Sequence, residues 1–314
     1  MKYLVLGAGG TGGPIAAYMT KGGLDVCLIA RGEHLELINE SGLTLIHENG
    51  FEESIPVKAV SMSDYKDNPD VIFVCVKGYS LSEVVPFLKK VTDRYKESVA
   101  SADGDKLPIV IPVLNIYGTG ERLSTELDCL VTDGCIYVAA QKKAPGIIQM
   151  NGDILRIVYG VRKPEDGSMD LFRIREELKS AGIEAIVSDN IQRDALQKFS
   201  YVSPMAAAEL YYNSSAGLFK QTGAARDFFL KLVREIDALA AAMNIPFLVD
   251  VCKNNLAILD SVNDNATTSL HRDIDSCKNN EADGLIFEVL RLADEYNVPV
   301  PCYRLVADKI KDIL

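Results

Sequence analysis

Six residues near the amino terminus, Gly7-Ala8-Gly9-Gly10-Thr11-Gly12, follow the spacing G-x-G-x-x-G. That spacing suits a dinucleotide pyrophosphate. The first glycine permits a tight turn, the second lets backbone approach the phosphates, and the third lets a helix pack closely on a strand. A helix starting there offers unpaired N–H groups and the positive end of its dipole to the phosphates. The context agrees: an apolar run over residues 3–6 precedes the glycines, and helical composition follows over 14–21. A second apolar run, residues 26–30, ends at Arg31. NAD-binding domains place an acidic residue near this point for the ribose 2′-hydroxyl. Arg31 is instead a cation able to pair with a 2′-phosphate, which favours NADP(H). Glu33, two residues on, argues the other way. Lys77 closes the run 71–77, and Asn115 follows the run 109–114. Both stand at strand ends, on the edge where such sheets bind ligands.

These residues need a scaffold, and the first half of the chain supplies one. Apolar runs at 3–6, 26–30, 71–77, 109–114, 136–140 and 154–159 read as strands, with helical patterns at 14–21 and 82–95. A Pro145-Gly146 turn separates the last two runs. Strands alternating with helices predict a parallel, doubly wound sheet. Beyond residue 188 only helical periodicity remains, over 190–212, 224–243, 246–263, 279–296 and 301–313. Ala195, Phe199, Val202 and Ala206 form one apolar stripe, and Leu230, Val233, Ile236 and Leu239 another. The expected fold class is α/β: a Rossmann-like doubly wound domain over residues 1–188, then an all-α domain over 189–314.

With 314 residues, two domains are expected. Charged residues at 25% and hydrophobic residues at 48% are globular values and exclude a disordered or fibrous chain. The net charge of −11 repels a phosphate backbone, so nucleic acid is not an expected partner. No apolar stretch is long enough to span a membrane. The run at residues 3–6 is too short for a secretory signal. Seven scattered cysteines with no CxxC pair, and the separated His34, His47 and His271, lack zinc spacing. Cys27, Cys75 and Cys129 lie in apolar runs and read as small buried hydrophobes. The expectation is a reduced cytoplasmic protein without a metal. Apolar stripes on the C-terminal helices can face the core or a second subunit, which leaves a homodimer open.

Taken together, the chain resembles the ketopantoate reductase (2-dehydropantoate 2-reductase) family over nearly its whole length. The glycine segment Gly7 to Gly13 is similar to the family's N-terminal loop, and Arg31 stands where the family binds the NADP phosphate. Val76-Lys77 resembles its third-strand lysine, and Leu114-Asn115 its Gln-Asn-Gly segment, with Leu114 and Ile116 replacing the residues beside the Asn. Ala144-Pro145-Gly146 with Ile157-Val158-Tyr159-Gly160 is similar to its antiparallel addition to the sheet. Ala195-Leu196-Gln197-Lys198-Phe199 resembles the helix with its catalytic lysine. Thr268-Ser269-Leu270-His271-Arg272-Asp273 and Glu281-Ala282-Asp283-Gly284-Leu285 resemble its Ser-Ser-Met-x-Gln-Asp and Glu-Ile-Asp segments, and Asn297-Val298-Pro299-Val300-Pro301 its C-terminal ending.

The resemblance implies hydride transfer from NADPH to the ketone of a small 2-oxo acid at an interdomain cleft. Negative charge grows on the carbonyl oxygen, so a cation or acid must sit beside it. Lys198 is the family's match. At 100° per residue it lies roughly 70° from the centre of its helix's apolar stripe, a boundary position where burial would lower its pKa. By resemblance Glu281, opening a helix, orients the lysine or the substrate, and Ser269 hydrogen-bonds the substrate. One position departs from the family. The substrate-binding asparagine one turn after the lysine is Val202 here, and a second family asparagine falls on Ala206. Valine offers no hydrogen bond, so a more apolar 2-oxo acid, or another carbonyl compound, fits alongside ketopantoate. A related dehydrogenase of a hydroxy acid or amino-acid derivative, and a non-catalytic NADP-binding sensor, are the alternatives.

Overall fold

Branched aliphatic residues load the short runs of the first half. Such side chains crowd a helix but suit the pleated face of a sheet. The computed structural model describes residues 1–99, 107–167 and 169–311. Its strands are β1 Lys2–Leu6, β2 Asp25–Ile29, β3 Leu43–Ile46, β4 Glu52–Ile55, β5 Ala59–Val60, β6 Val71–Val74, β7 Ile109–Pro112, β8 Leu130–Val131, β9 Asp133–Ala144, β10 Ile147–Gly160 and β11 Glu184–Val187. The described chain divides into two units. One is Met1–Leu114 with Gly118–Ile191, and the other is Gln192–Leu314 with Asn115–Tyr117.

The first unit holds a six-stranded sheet in the order β5-β2-β1-β6-β7-β8, all pairings parallel. The order of strand addition reverses between β1 and β6, the switch point where doubly wound sheets bind ligands. The glycine segment leaves β1 there. Helices α1 Gly12–Lys21, α2 Gly32–Ser41, α3 Leu81–Val99, α4 Thr119–Ser124 and α5 Met169–Ser180 connect the strands. A second sheet runs β11-β10-β3-β4, with β9 antiparallel to β10.

Three features differ from the sequence expectation. Strands β3, β4, β5, β8 and β11 lie outside the expected runs. Glu52, Glu53 and Ser54 give β4 a polar, largely exposed edge that hides the strand pattern. The β9–β10 hairpin is far longer than its apolar centre, because an antiparallel arm can leave polar residues such as Gln141, Lys142 and Lys143 in water. Finally, β6 stops at Val74 and β7 at Pro112, so Lys77 and Asn115 stand in the following loops rather than at strand ends.

Among its described residues the second unit contains helices only: α6 Ile191–Tyr212, α7 Ala216–Lys220, α8 Ala224–Ala242, α9 Val251–Ser261, α10 Ser269–Asp275, α11 Glu288–Glu295 and α12 Pro301–Ile310, with a π turn at Asp283–Phe287 before α11. Pro204 sits inside α6 and cannot donate to the carbonyl of Ser200 one turn back. The buried Asn255 of α9 donates to that carbonyl instead, at 2.8 Å, so α6 continues through the proline. On α8 the buried face is centred on Leu232, Val233, Ile236 and Leu239, and Leu230 is only half-buried. The buried Glu235 of α8 accepts the N–H groups of Cys302 and Tyr303 at 2.7 and 3.0 Å, occupying the positive end of α12. No described helix is long and apolar enough to cross a membrane.

Candidate active site

In the first unit the glycines are required by close backbone contacts. Gly7 has φ +113°, a conformation costly for any other residue. A Cβ on Gly12 would stand 2.0 Å from the Gly7 carbonyl oxygen and 3.0 Å from Cys75 Cβ. A Cβ on Gly10 would stand 2.3 Å from the Ala140 carbonyl oxygen, so the β9 arm lies against the loop. Within the segment Gly7 to Gly13, Gly9 alone faces open space, with nothing within 4 Å of such an atom. This open side fits the approach of a pyrophosphate. Gly7, Gly9, Gly10 and Thr11 are partly exposed, while Ala8 and Gly12 are buried. Cys75 is packing material beneath the turn, its thiol pushed up by burial and so kept neutral.

Arg31 is the exposed N-cap of α2, and among the described residues it makes no ion pair. Glu33 is also exposed, in the first turn of the same helix. Lys77 is half-buried at the start of a short 3₁₀ turn, Gly78–Ser80.

Sequence reading missed His34. It is buried on the first turn of α2 and bridges two distant backbone groups. Its Nδ1 accepts the Gly146 N–H at 2.7 Å, so Nε2 carries the proton and donates to the Ala8 carbonyl at 2.7 Å. One neutral imidazole thereby ties the glycine loop, the start of α2 and the hairpin turn together. Burial is the main reason its pKa lies below the ordinary imidazole value, and the Lys142 charge adds to it against the Ala8 bond. A second proton would displace the Gly146 N–H. In the unfolded chain the imidazole titrates near its usual value of about 6.5. The stability due to neutral His34 is therefore complete above that value and is lost as pH falls through the lower folded value. His34→Ala leaves two buried backbone groups unpaired and is expected to cost about 2 kcal/mol, roughly 4–8 °C in Tm. It should also flatten the fall of Tm on the acid side of neutrality. Thermal melts across that range check both, and an unchanged acid slope would reject the titration of His34 as its cause.

In the second unit, α6 presents Lys198 half-buried. Its ammonium donates to Asn115 Oδ1 at 2.6 Å. Asn115, read from the sequence as a cofactor ligand, accepts a hydrogen bond from the lysine. The next residues are seated beside it. Ile116 packs where Gly284 lacks a side chain, and the Tyr117 ring lies 6.1 Å, centroid to centroid, from that of Phe199. Val202, one turn after Lys198, is half-buried, whereas Ala206 is fully buried in the core. Glu281 is buried immediately before the helical segment rather than within it, and its carbonyl accepts the Leu285 N–H at 2.9 Å. Ser269 begins α10 half-buried, and its hydroxyl has no protein partner among the described residues. The segment carrying it is held by the buried Glu209 of α6, which accepts both the N–H and the hydroxyl of Thr268 at 2.8 and 2.7 Å. Burial raises the Glu209 pKa against these two hydrogen bonds and the neighbouring His271. No local signal marks Glu209, because its partners lie 59 residues away.

Two family models cover most of the chain. The model described as ketopantoate reductase PanE/ApbA matches residues 3–164, and its C-terminal counterpart matches residues 190–313. The chain belongs to the ketopantoate reductase family. It is an oxidoreductase of that family, with the Rossmann-like and helical halves that its sequence pattern predicts. The chain is 26% identical to the 2-dehydropantoate 2-reductase of Mesorhizobium japonicum, covering 96% of this chain and 94% of that protein. It is 24% identical to the uncharacterized oxidoreductase YkpB of Bacillus subtilis, covering 98% and 96%. Among solved structures, D-mandelate dehydrogenase with NADH and anilino(oxo)acetate shares the fold at a TM-score of 0.86, with 19% identity over 100% of this chain and 98% of that one.

Proposed function

We propose that this protein is an NADPH-dependent reductase of a small 2-oxo acid and that Lys198 is its general acid. The observation that carries the reading is the ammonium of Lys198 fixed on Asn115 Oδ1 at 2.6 Å. A lysine aimed by an amide acceptor has a defined position from which to protonate a carbonyl oxygen. The residues Gly7, Ala8, Gly9, Gly10, Thr11 and Gly12 would hold the pyrophosphate, with Arg31 on the 2′-phosphate and Lys77 near the same cofactor. NADPH, when bound, supplies the hydride that the ketone carbon accepts. Lys198 delivers the proton to the ketone oxygen, and the product is the 2-hydroxy acid. Ser269 offers its hydroxyl to the substrate's polar end, and Glu281 orients the lysine or the substrate.

Val202 sets the substrate class. Its half-buried aliphatic surface favours a 2-oxo acid with an alkyl or aryl substituent over ketopantoate itself. The test is oxidation of NADPH and NADH in the presence of straight-chain, branched and aryl 2-oxo acids and of ketopantoate. Turnover on none of them would reject the reductase reading in favour of a sensor. Val202→Asn is expected to raise kcat/KM for ketopantoate about tenfold, as one regained hydrogen bond allows, and to lower activity on the apolar substrate. A lower Tm with no gain on ketopantoate would instead place Val202 in the packing of α6.

A further inference from the structure

We propose that Gly284, in the π turn Asp283–Phe287, is a positioning residue: it seats Ile116 and so fixes Asn115 against Lys198. The proposal rests on the reading of Lys198 as the proton donor. The three residues Asn115–Tyr117 belong to the helical unit, and each has its own anchor there. Asn115 accepts from Lys198, Tyr117 packs on Phe199, and Ile116 is buried against Gly284. The first two anchors are adjacent residues of α6, and the third is the π turn.

The fit at Gly284 leaves no slack. A Cβ there would stand 2.3 Å from Ile116 Cγ2 and 3.0 Å from Ile116 Cβ. Cβ does not move with χ1, so the 3.0 Å contact persists in every rotamer, and the stiff β-branch resists turning to the one rotamer that would put hydrogen in place of Cγ2. Relief requires the Ile116 backbone to retreat, and Asn115 is its covalent neighbour. Glycine is therefore needed here for close approach rather than for an unusual φ.

The turn that carries Gly284 is itself fixed to the lysine helix. A π turn takes its hydrogen bonds one residue farther along than an α turn, which displaces carbonyls from the regular ladder. The Leu285 carbonyl accepts the Ser203 hydroxyl at 2.5 Å. The single hydroxyl hydrogen of Ser203 is used there, so the 2.6 Å contact with Tyr303 must have the Tyr303 hydroxyl as donor. Burial keeps that phenol protonated, its pKa raised well above the ordinary value. Tyr303 is placed in turn by its N–H on Glu235. Ser203 stands five residues after Lys198 on α6, so one helix carries both the lysine and the tether of the turn that positions its partner.

The hydrogen bond to Asn115 favours the charged form of Lys198, so its loss should lower the lysine's pKa. Lysine Cε labelled with ¹³C reads this titration directly, with Lys198→Ala identifying the resonance and no substrate required. Gly284→Ala is expected to move the Lys198 titration to lower pH and to cut kcat on the best 2-oxo acid about tenfold. The dissociation constant for NADPH should stay within twofold. Gly284→Ala combined with Ile116→Ala removes the 2.3 Å contact and puts the new methyl in the space that the isoleucine branch vacates, so the segment is seated again and most of the loss in kcat should be regained. An unmoved Lys198 titration in Gly284→Ala overturns the proposal, as does a double variant no better than the single one. If Gly284→Ala folds poorly, Ile116→Ala carries the test: it frees Asn115 and should shift the same resonance, and no shift overturns the proposal. Normal turnover by Lys198→Ala would instead reject the general-acid reading, while the titration would still report whether Gly284 positions the pair.

Discussion

Lys198→Ala is expected to lower kcat and kcat/KM together by about a hundredfold or more. That is the lower end of the range for removing a positioned acid. Parallel loss in both constants is the mark of an interaction made in the transition state rather than in substrate binding. The affinity for NADPH should hardly change, because the glycine loop and Arg31 belong to the first unit. Stability should also be kept, since Lys198 is half-buried and its truncation leaves Asn115 partly open to water. Steady-state kinetics on the best substrate of the 2-oxo acid series, with fluorescence titration of NADPH, measures all three quantities. Near-normal turnover would reassign Lys198 to packing on α6.

Arg31→Ala is expected to weaken NADPH binding between about tenfold and a hundredfold while leaving NADH nearly unaffected. The basis is one charge-assisted hydrogen bond to a 2′-phosphate, about 1.5–3 kcal/mol. Arg31 is exposed and engaged in no ion pair among the described residues, so no internal partner competes for it. The wild type should therefore prefer NADPH by at least tenfold. Glu33, exposed in the first turn of α2, makes the opposite outcome concrete. If both cofactors bind equally and Arg31→Ala changes neither, Glu33 is the residue to test on the ribose hydroxyl. Titrating both cofactors into both proteins, at one fixed salt concentration because exposed charges are screened, gives the answer.

The parts of this protein legible in its sequence are those set by short-range rules. Buried parallel strands are nearly continuous aliphatic runs, so β1, β2, β6 and β7 show themselves. The glycine segment is equally legible, because its turn and helix start depend on a few consecutive residues. The change to helical periodicity beyond residue 188 announces the second unit for the same reason. As candidates, Lys198, Glu281 and Ser269 rest on the resemblance of their segments, since a lysine beside an apolar stripe is ordinarily a residue snorkelling to water.

Tertiary structure decided how these pieces work together. Asn115 looks like a strand-end residue beside Lys77, yet β7 stops at Pro112 and the next loop delivers the amide to a lysine 83 residues away. His34 is an isolated histidine until chain folding brings Ala8 and Gly146, 26 and 112 residues distant, to its two nitrogens. Val202 and Ala206 share one helical stripe, and periodicity treats them alike. Only the surrounding packing leaves the first half-buried and closes the core over the second. Gly284 reads as a weak point in a helix. Its reason is the methyl group of Ile116, 168 positions earlier in the chain, occupying the space where a side chain would stand. Hydrophobic period and glycine spacing are properties of neighbouring residues, whereas each of these four depends on which distant atom fills the adjacent space.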